Sequence, residues 1–102
     1  MHTRLELQEK LEDILGSRNV YFQPPENLKI QYPAIIYTRA TLWNDFADDI
    51  VYGQRWGFDI TLIDANPDSP FIKDISKLPK CRFDRHYVVD NLNHDTFTIY
   101  LD

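Results

Sequence analysis

The last quarter of the chain alternates apolar and polar residues, and this alternation constrains the fold more than any other stretch of the sequence. A period of two is typical of β-strands with one buried face. The apolar residues that follow it are Cys81, Phe83, Tyr87 and Val89 in the first half, and Phe97, Ile99 and Leu101 in the second. The segment Asn91–Asn93 separates the halves, and asparagine tolerates the left-handed backbone of tight turns. The pattern predicts a hairpin with strands Cys81–Asp90 and His94–Leu101.

Two amphipathic segments are predicted to form helices. The first spans Arg4–Leu15, with Thr3 at the start of a capping-box sequence and Gly16 at a position that favours left-handed backbone. The second begins around Pro70, which suits a helix N-terminus, and ends before Pro79. Each helix has one apolar stripe, formed by Leu7, Leu11, Ile14 and Leu15 in the first and by Phe71, Ile75 and Leu78 in the second. Each helix is therefore expected to cover a neighbouring surface with one side.

Three further strands are predicted at Val20–Phe22, from Ala34 for eight to ten residues, and at Gln54–Ala65. A brief edge strand is expected at Leu28–Ile30. The segment Asn44–Tyr52 carries three acids and no basic residue, so we expect an exposed, mobile connection there. Two helices packed on one face of an antiparallel or mixed sheet of four to five strands would bury the apolar faces. The sequence thus predicts a single two-layer α+β domain over residues 1–102.

Composition excludes several classes of function. The chain has 11 basic and 16 acidic residues and a net charge of −5, which opposes binding to a phosphate backbone, so no nucleic-acid sequence recognition is expected. It contains no apolar run of about 18 residues and no signal-peptide pattern, so we expect no membrane association and a cytoplasmic protein. Cys81 is the single cysteine and is expected to be a reduced, structural thiol.

Candidate catalytic groups are few. His86 adjoins Asp84 on the more polar face of its predicted strand, where a solvated histidine is the ordinary interpretation. His94 lies near Asp90 and Asp95, which together suggest a turn more than a metal site. The chain has only three glycines and no phosphate-binding loop. We predict that the protein is not an enzyme and has no catalytic, cofactor-binding or metal-binding residue.

Gly57 stands between Trp56 and Phe58 inside a predicted strand. A glycine in a strand interior is typical of a bulge or of a close approach by a neighbouring group. We expect one of these two features at Gly57.

Several short motifs resemble one family of phage proteins. They are Val20–Pro25, Tyr32–Pro33, Ile63–Asp64 with Pro67–Ser69, Leu78–Tyr87 and Asp90–Asp95, of which the last two are the most specific. The chain resembles, from about Val20 to Tyr100, the tail terminator (tail completion) proteins of long-tailed phages and prophages of Gram-positive bacteria. The resemblance implies a minor structural protein of the head–tail joining region, with an antiparallel sheet and helices on one face.

This resemblance also implies partners and a location. It implies a homo-oligomeric ring, a hexamer on the tail, that caps the tail tube, ends polymerisation of the tail tube protein and offers a surface to the head–tail connector proteins. The expected location is the head-proximal end of the virion tail, and the host cytoplasm during assembly. Exposed acids, aromatics and turn residues are the expected interface positions, namely Asp45, Phe46, Asp48, Asp49, Tyr52, Asn91, Asn93 and His94.

Three alternatives remain open at the level of sequence. The first is a head-closure or neck protein of the head–tail connector, which belongs to the same broad class. The second is a small metal-dependent enzyme that uses His86, His94 and the nearby aspartates. The third is a cytoplasmic module that binds a host protein.

Overall fold

A computed structural model describes residues 1–101, apart from the side chain of Tyr52, as one five-stranded sheet with two helices. The strand order is β1-β2-β3-β5-β4, in which β1 runs parallel to β2 and the other neighbours are antiparallel. The elements in chain order are α1 (Arg4–Leu15), β1 (Val20–Phe22), β2 (Ala34–Ala47), β3 (Ile50–Asp64), α2 (Phe71–Ser76), β4 (Cys81–Val89) and β5 (Leu92–Leu101). The predicted α+β class with a mixed sheet is confirmed.

One face of the sheet, which we call the helix face, is covered by both helices. The predicted helical stripes supply Leu7, Leu11, Leu15 and Ile75 to the core, and the strands supply Val20, Ile35, Tyr37, Phe58, Ile60, Leu62, Phe97, Ile99 and Leu101. The strand residues follow a period of two, as predicted, because alternate side chains of a strand point to opposite faces. The other face, which we call the open face, has no helix over it among residues 1–101.

The first helix is fixed at both ends and at its centre. Thr3 Oγ1 accepts a hydrogen bond from the Glu6 amide at 3.2 Å, and Gly16 adopts φ 74°, as the sequence predicted. Beneath the helix, the hydroxyl of Tyr37 accepts a bond from Arg4 at 3.1 Å and donates one to Gln8. Burial raises the pKa of Tyr37, with Arg4 opposing the effect, so the hydroxyl keeps its proton. These bonds satisfy the one polar group of a large core side chain.

The prediction of an edge strand at Leu28–Ile30 was wrong. Gln23 occupies the edge of β2 directly beyond β1. Its amide donates to Tyr37 O at 3.0 Å, and its side chain accepts from Arg39 N at 3.1 Å. Gln23 has φ 46° and is followed by two prolines, which lead the chain away from the sheet. Residues 28–30 form no strand.

Gly57 allows a close approach, as predicted. A Cβ atom at this position would lie 2.6 Å from Thr41 Cγ2 and 3.1 Å from Tyr100 Cε1. The register of β2 against β3 also shifts between Arg39 and Thr41, directly beside Gly57. The bulge and the missing side chain together let neighbouring strands pack closely on the open face.

The turn between β4 and β5 is shorter than predicted. Asp90 and Asn91 form it, with φ values of 53° and 63°, and Leu92 already pairs with Val89. Two successive residues with positive φ are the geometry of a type I′ hairpin turn. Asn93, which we expected in the turn, is therefore the second residue of β5.

Candidate interaction surface

The most prominent feature of the molecule is a projecting hairpin, residues 41–57, which we call the arm. Its strands are the distal parts of β2 and β3, paired from Thr41 and Gly57 to Ala47 and Ile50. The arm makes the domain elongated, with extents of 51 × 27 × 24 Å. The core ends at Phe58, which is the buried side chain of β3 nearest to the arm.

The arm replaces the connection that we predicted at Asn44–Tyr52. Most of this segment is exposed, as predicted, but it forms paired strands and not an irregular connection, and its mobility stays a prediction. Asp48 and Asp49 form a two-residue turn with φ values of 53° and 63°, the same geometry as in the β4–β5 turn. The apolar residues on both sides of the two aspartates then continue the strands, with Phe46 opposite Val51. A long acidic segment without a glycine thus forms a hairpin, because aspartate tolerates left-handed backbone.

Large apolar side chains cover the arm and are exposed. Ile50 is 69% exposed and Phe46 is 61% exposed, the highest values among the described large apolar side chains of the arm. The exposed members of this described group are Leu42, Trp43, Phe46, Ile50, Val51 and Trp56. By strand register, Leu42 lies opposite Trp56 and Phe46 opposite Val51, so apolar pairs run along the helix-face side of the arm beyond the helices. The polar pair Asn44 and Gln54 lies between these two apolar pairs. This much exposed apolar side chain on a small domain is nevertheless typical of a protein interface.

Polar contacts hold the arm in shape. Asp45 forms a salt bridge with Arg55 at 3.4 Å and accepts a hydrogen bond from Trp43 Nε1 at 3.2 Å. Gln54 donates to Asn44 at 3.0 Å across the two strands. At the base of the arm, the guanidinium of Arg39 lies 4.7 Å from the ring centre of Trp56. Exposed contacts of this kind each contribute less than about 1 kcal/mol, so the arm is ordered but weakly stabilised.

The arm contains most of the interface positions predicted from the sequence. Asp45, Phe46, Asp48 and Asp49 all lie in it, although Asp45 is engaged with Arg55. The backbone of Tyr52 lies in β3, but its side chain falls outside the described residues. The exposed apolar residues of the arm that sequence reasoning did not name as interface positions are Leu42, Trp43, Ile50, Val51 and Trp56. The sequence feature that could have revealed them is the presence of apolar residues on both sides of the Asp48–Asp49 pair.

The other predicted interface residues lie at the opposite end of the sheet. Leu101 pairs with Trp56 beside the arm, whereas Asn93 pairs with Asp64 at the far end. Asn93 is buried and donates hydrogen bonds to Asp64 O at 3.1 Å and Ala65 O at 3.3 Å, so it anchors the chain after β3. Asn91 is exposed in the turn. The structure therefore does not bring the two predicted groups together.

His94 is engaged within its own hairpin. Its ring stacks on Tyr87 with centroids 4.8 Å apart, and Nδ1 lies 3.0 Å from Leu92 O. These contacts fix the ring on the open face, where it is half-buried. His94 remains a predicted interface residue with an ordered side chain.

His86 lies on the other face from the one we predicted. The register of β4 against β5 shifts between Phe83 and Arg85. Because of this bulge, the side chains after it point to the opposite faces from those that strict alternation predicts. His86 consequently pairs with Asp95 on the helix face, and its Nε2 lies 3.2 Å from Asn93 Oδ1. For the same reason Tyr87 lies on the opposite face from Cys81 and Phe83.

Burial raises the pKa of Asp95, while His86 and His94 oppose the effect and Asp64 adds to it. These residues cluster at the end of the sheet far from the arm. Within residues 1–101, no three His, Cys, Asp or Glu side chains are placed to hold a metal ion together.

A groove on the open face was not anticipated. It encloses about 590 Å³ at the base of the arm and is lined by Arg55, Lys80, Cys81, Arg82, Thr98 and Tyr100. We call it the basic groove, because three of the six described residues that line it are cationic and none of the six is acidic. Burial raises the pKa of the Cys81 thiol to about 11, so the thiol is neutral and adds no negative charge. Cys81 also packs against the core, as expected of a structural thiol.

No family model matches the chain, and no curated protein matches it either. Among residues 1–101, neither helix has the length and apolar character needed to cross a bilayer. The surface geometry is therefore the basis for a functional proposal.

Proposed function

We propose that this chain is a structural virion assembly protein that caps a phage tail tube as a ring, ends tail polymerisation and provides the surface for head attachment. The observation that carries the proposal is the arm, in which six of the described large apolar side chains are exposed. A domain of this size normally buries such residues unless a partner covers them. The resemblance to tail terminator proteins supplies the specific assembly.

The layout of the domain supports a ring. In a ring, each subunit contacts two neighbours through two different patches. The arm projects from one end of the sheet, and the basic groove is a separate surface at the base of the arm. A subunit with separate surfaces can contact other copies of itself, the tail tube protein and the head–tail connector at once. This function requires no catalytic residue and no cofactor.

The proposal is tested by electron microscopy of particles made without this gene. We expect overlong tails without heads, because the tube continues to polymerise when nothing caps it. Tails of normal length would contradict a role in termination. Tails of normal length beside unjoined heads would instead favour the head-closure or neck function in the same region.

The predicted location has its own test. Antibody labelling of wild-type particles, viewed by electron microscopy, should mark the head-proximal end of the tail. Labelling along the tube or at the distal tip would contradict the proposed position.

A further inference from the structure

We propose that the arm tip of one copy of this chain docks in the basic groove of a second copy. The arm tip consists of residues 47–50, that is the Asp48–Asp49 turn with Ala47 and Ile50 on either side. This inference rests on the proposed self-assembly into a ring and names the two surfaces that make the contact.

Charge is the first argument. Both tip aspartates are exposed, and the nearest cation in sequence on either side is Arg39 or Arg55, so the tip is locally anionic. The groove contributes Lys80 and Arg82, together with Arg55, whose guanidinium is shared with Asp45 at 3.4 Å. A negative tip and a positive groove on an otherwise acidic chain are complementary, and such pairs set the orientation of an association.

A donor without a partner on Arg55, a residue that lines the groove, is the second argument. The Nε of Arg55 is buried and finds no acceptor among the described residues. Buried donors without partners are uncommon, because each loses its hydrogen bond to water until an acceptor arrives. A carboxylate entering the groove would be such an acceptor.

Shape is the third argument. At about 30 Å³ per water, the groove holds roughly 20 water molecules, enough room for the side chains of a two-residue turn. Tyr100 and Thr98 give the groove an uncharged wall that Ile50 of the incoming tip can contact. Ile50 is the most exposed large apolar residue in the described part of the chain.

The groove cannot take the tip of its own chain. Arg55 is six residues from Asp49 along an extended strand, which separates them by roughly 20 Å. The tip also points away from the groove, because the two strands of the arm remain paired up to the turn. Each copy therefore offers one tip and one groove to different neighbours, and this head-to-tail contact closes into a ring when the rotation allows.

Charge exchange on the full-length chain tests the contact. Sedimentation at low ionic strength should show self-association that is weakened at least about tenfold by Asp48→Asn with Asp49→Asn, and equally by Arg82→Gln. Asparagine keeps the tolerance for positive φ that the turn needs. Combining Asp49→Lys with Arg82→Glu should restore association to within about threefold of the wild type, since the charges are then exchanged.

Asp90→Asn is the matched control, because it removes one charge from the same type of turn at the other end of the sheet. It should leave association unchanged. Equal association of the wild type and the two neutralised variants would overturn the proposal.

A second measurement detects the contact even when self-association is weak. A spin label on Ala47→Cys, in a Cys81→Ser background, is mixed with unlabelled, isotope-enriched chain at millimolar concentration. We expect broadening of the amide signals of Arg82 and Tyr100 in the enriched copy. No broadening, or broadening only at the arm itself, would overturn the contact. Tail length in particles that carry Arg82→Gln separates failure of this contact from failure of the proposed function. Tails of normal length would overturn the contact between tip and groove and leave the proposed function standing.

Discussion

Gly57 is the residue whose replacement most directly tests the packing of the sheet. Gly57→Ala should lower the free energy of unfolding by about 1–3 kcal/mol, because the added methyl group overlaps Thr41 and Tyr100. Urea denaturation provides the measurement. Gly53→Ala is the control, since its nearest contact is an ordinary 3.4 Å to Asp45 Oδ2, and we expect a change below about 0.5 kcal/mol. Equal effects at the two glycines would show that Thr41 and Tyr100 move away from the added methyl group without loss of stability.

Asp95 should make stability depend on pH. Burial raises its pKa, so the folded chain binds this proton more tightly than the unfolded chain does. The ionised carboxylate therefore costs stability above the folded pKa. This cost declines as the pH falls through the folded pKa and is absent below the unfolded value of about 3.9.

Replacing Asp95 by asparagine removes this dependence. Asp95→Asn should be more stable than the wild type at pH 7, and the difference should shrink as the pH falls towards about 4. Urea denaturation over a pH series measures it, with the exposed Asp59→Asn as the control. A variant that is less stable than the wild type at neutral pH would show that the carboxylate makes a net stabilising contact.

At the scale of elements, the arm should be the least protected part of the sheet. Its amides are paired between strands, but no helix covers it and its polar contacts are exposed. Local opening of such a segment costs less free energy than unfolding of the core. We predict faster hydrogen exchange in residues 42–47 and 50–55 than in residues 60–62 of the same sheet. Equal protection would mean that the arm opens only when the whole domain unfolds.

The helices and the buried alternation were predictable from the sequence because each depends on local chemistry. The Thr3 cap, the left-handed Gly16 and the alternate core residues of β5 are encoded within a few residues of where they act. The class of fold followed from these elements alone. The end of the first helix and the buried face of β5 were therefore correct.

What the sequence did not reveal depends on pairing between distant strands. The bulge near Asp84 changes which side of β4 faces the helices, and only the register against β5 shows it. The arm was missed because an Asp-Asp turn lacks the glycine of the commonest hairpin signals. The basic groove joins β3, β4 and β5, so its members are far apart in the chain. Several predicted interface positions fall in the arm, although the sequence placed them in a loop.

At the scale of the whole molecule, the arm divides the domain into a core and an extension. The helices and the sheet up to Phe58 form a complete core, whereas the arm contributes exposed apolar surface and little to that core. Replacement of exposed arm residues should therefore leave the fold intact. This separation allows assembly to be tested without unfolding the protein.

The most direct test of the account is tail length in particles whose only copy of the gene carries Trp43→Ser, Phe46→Ser and Ile50→Ser. Val88→Ser with Val89→Ser is the matched control, because these valines are also exposed but lie at the other end of the sheet. Both variants should fold, as judged by circular dichroism. Electron microscopy should then show overlong, headless tails for the arm variant and tails of normal length for the control. Normal tails from a folded arm variant would contradict the central claim that the arm builds the cap.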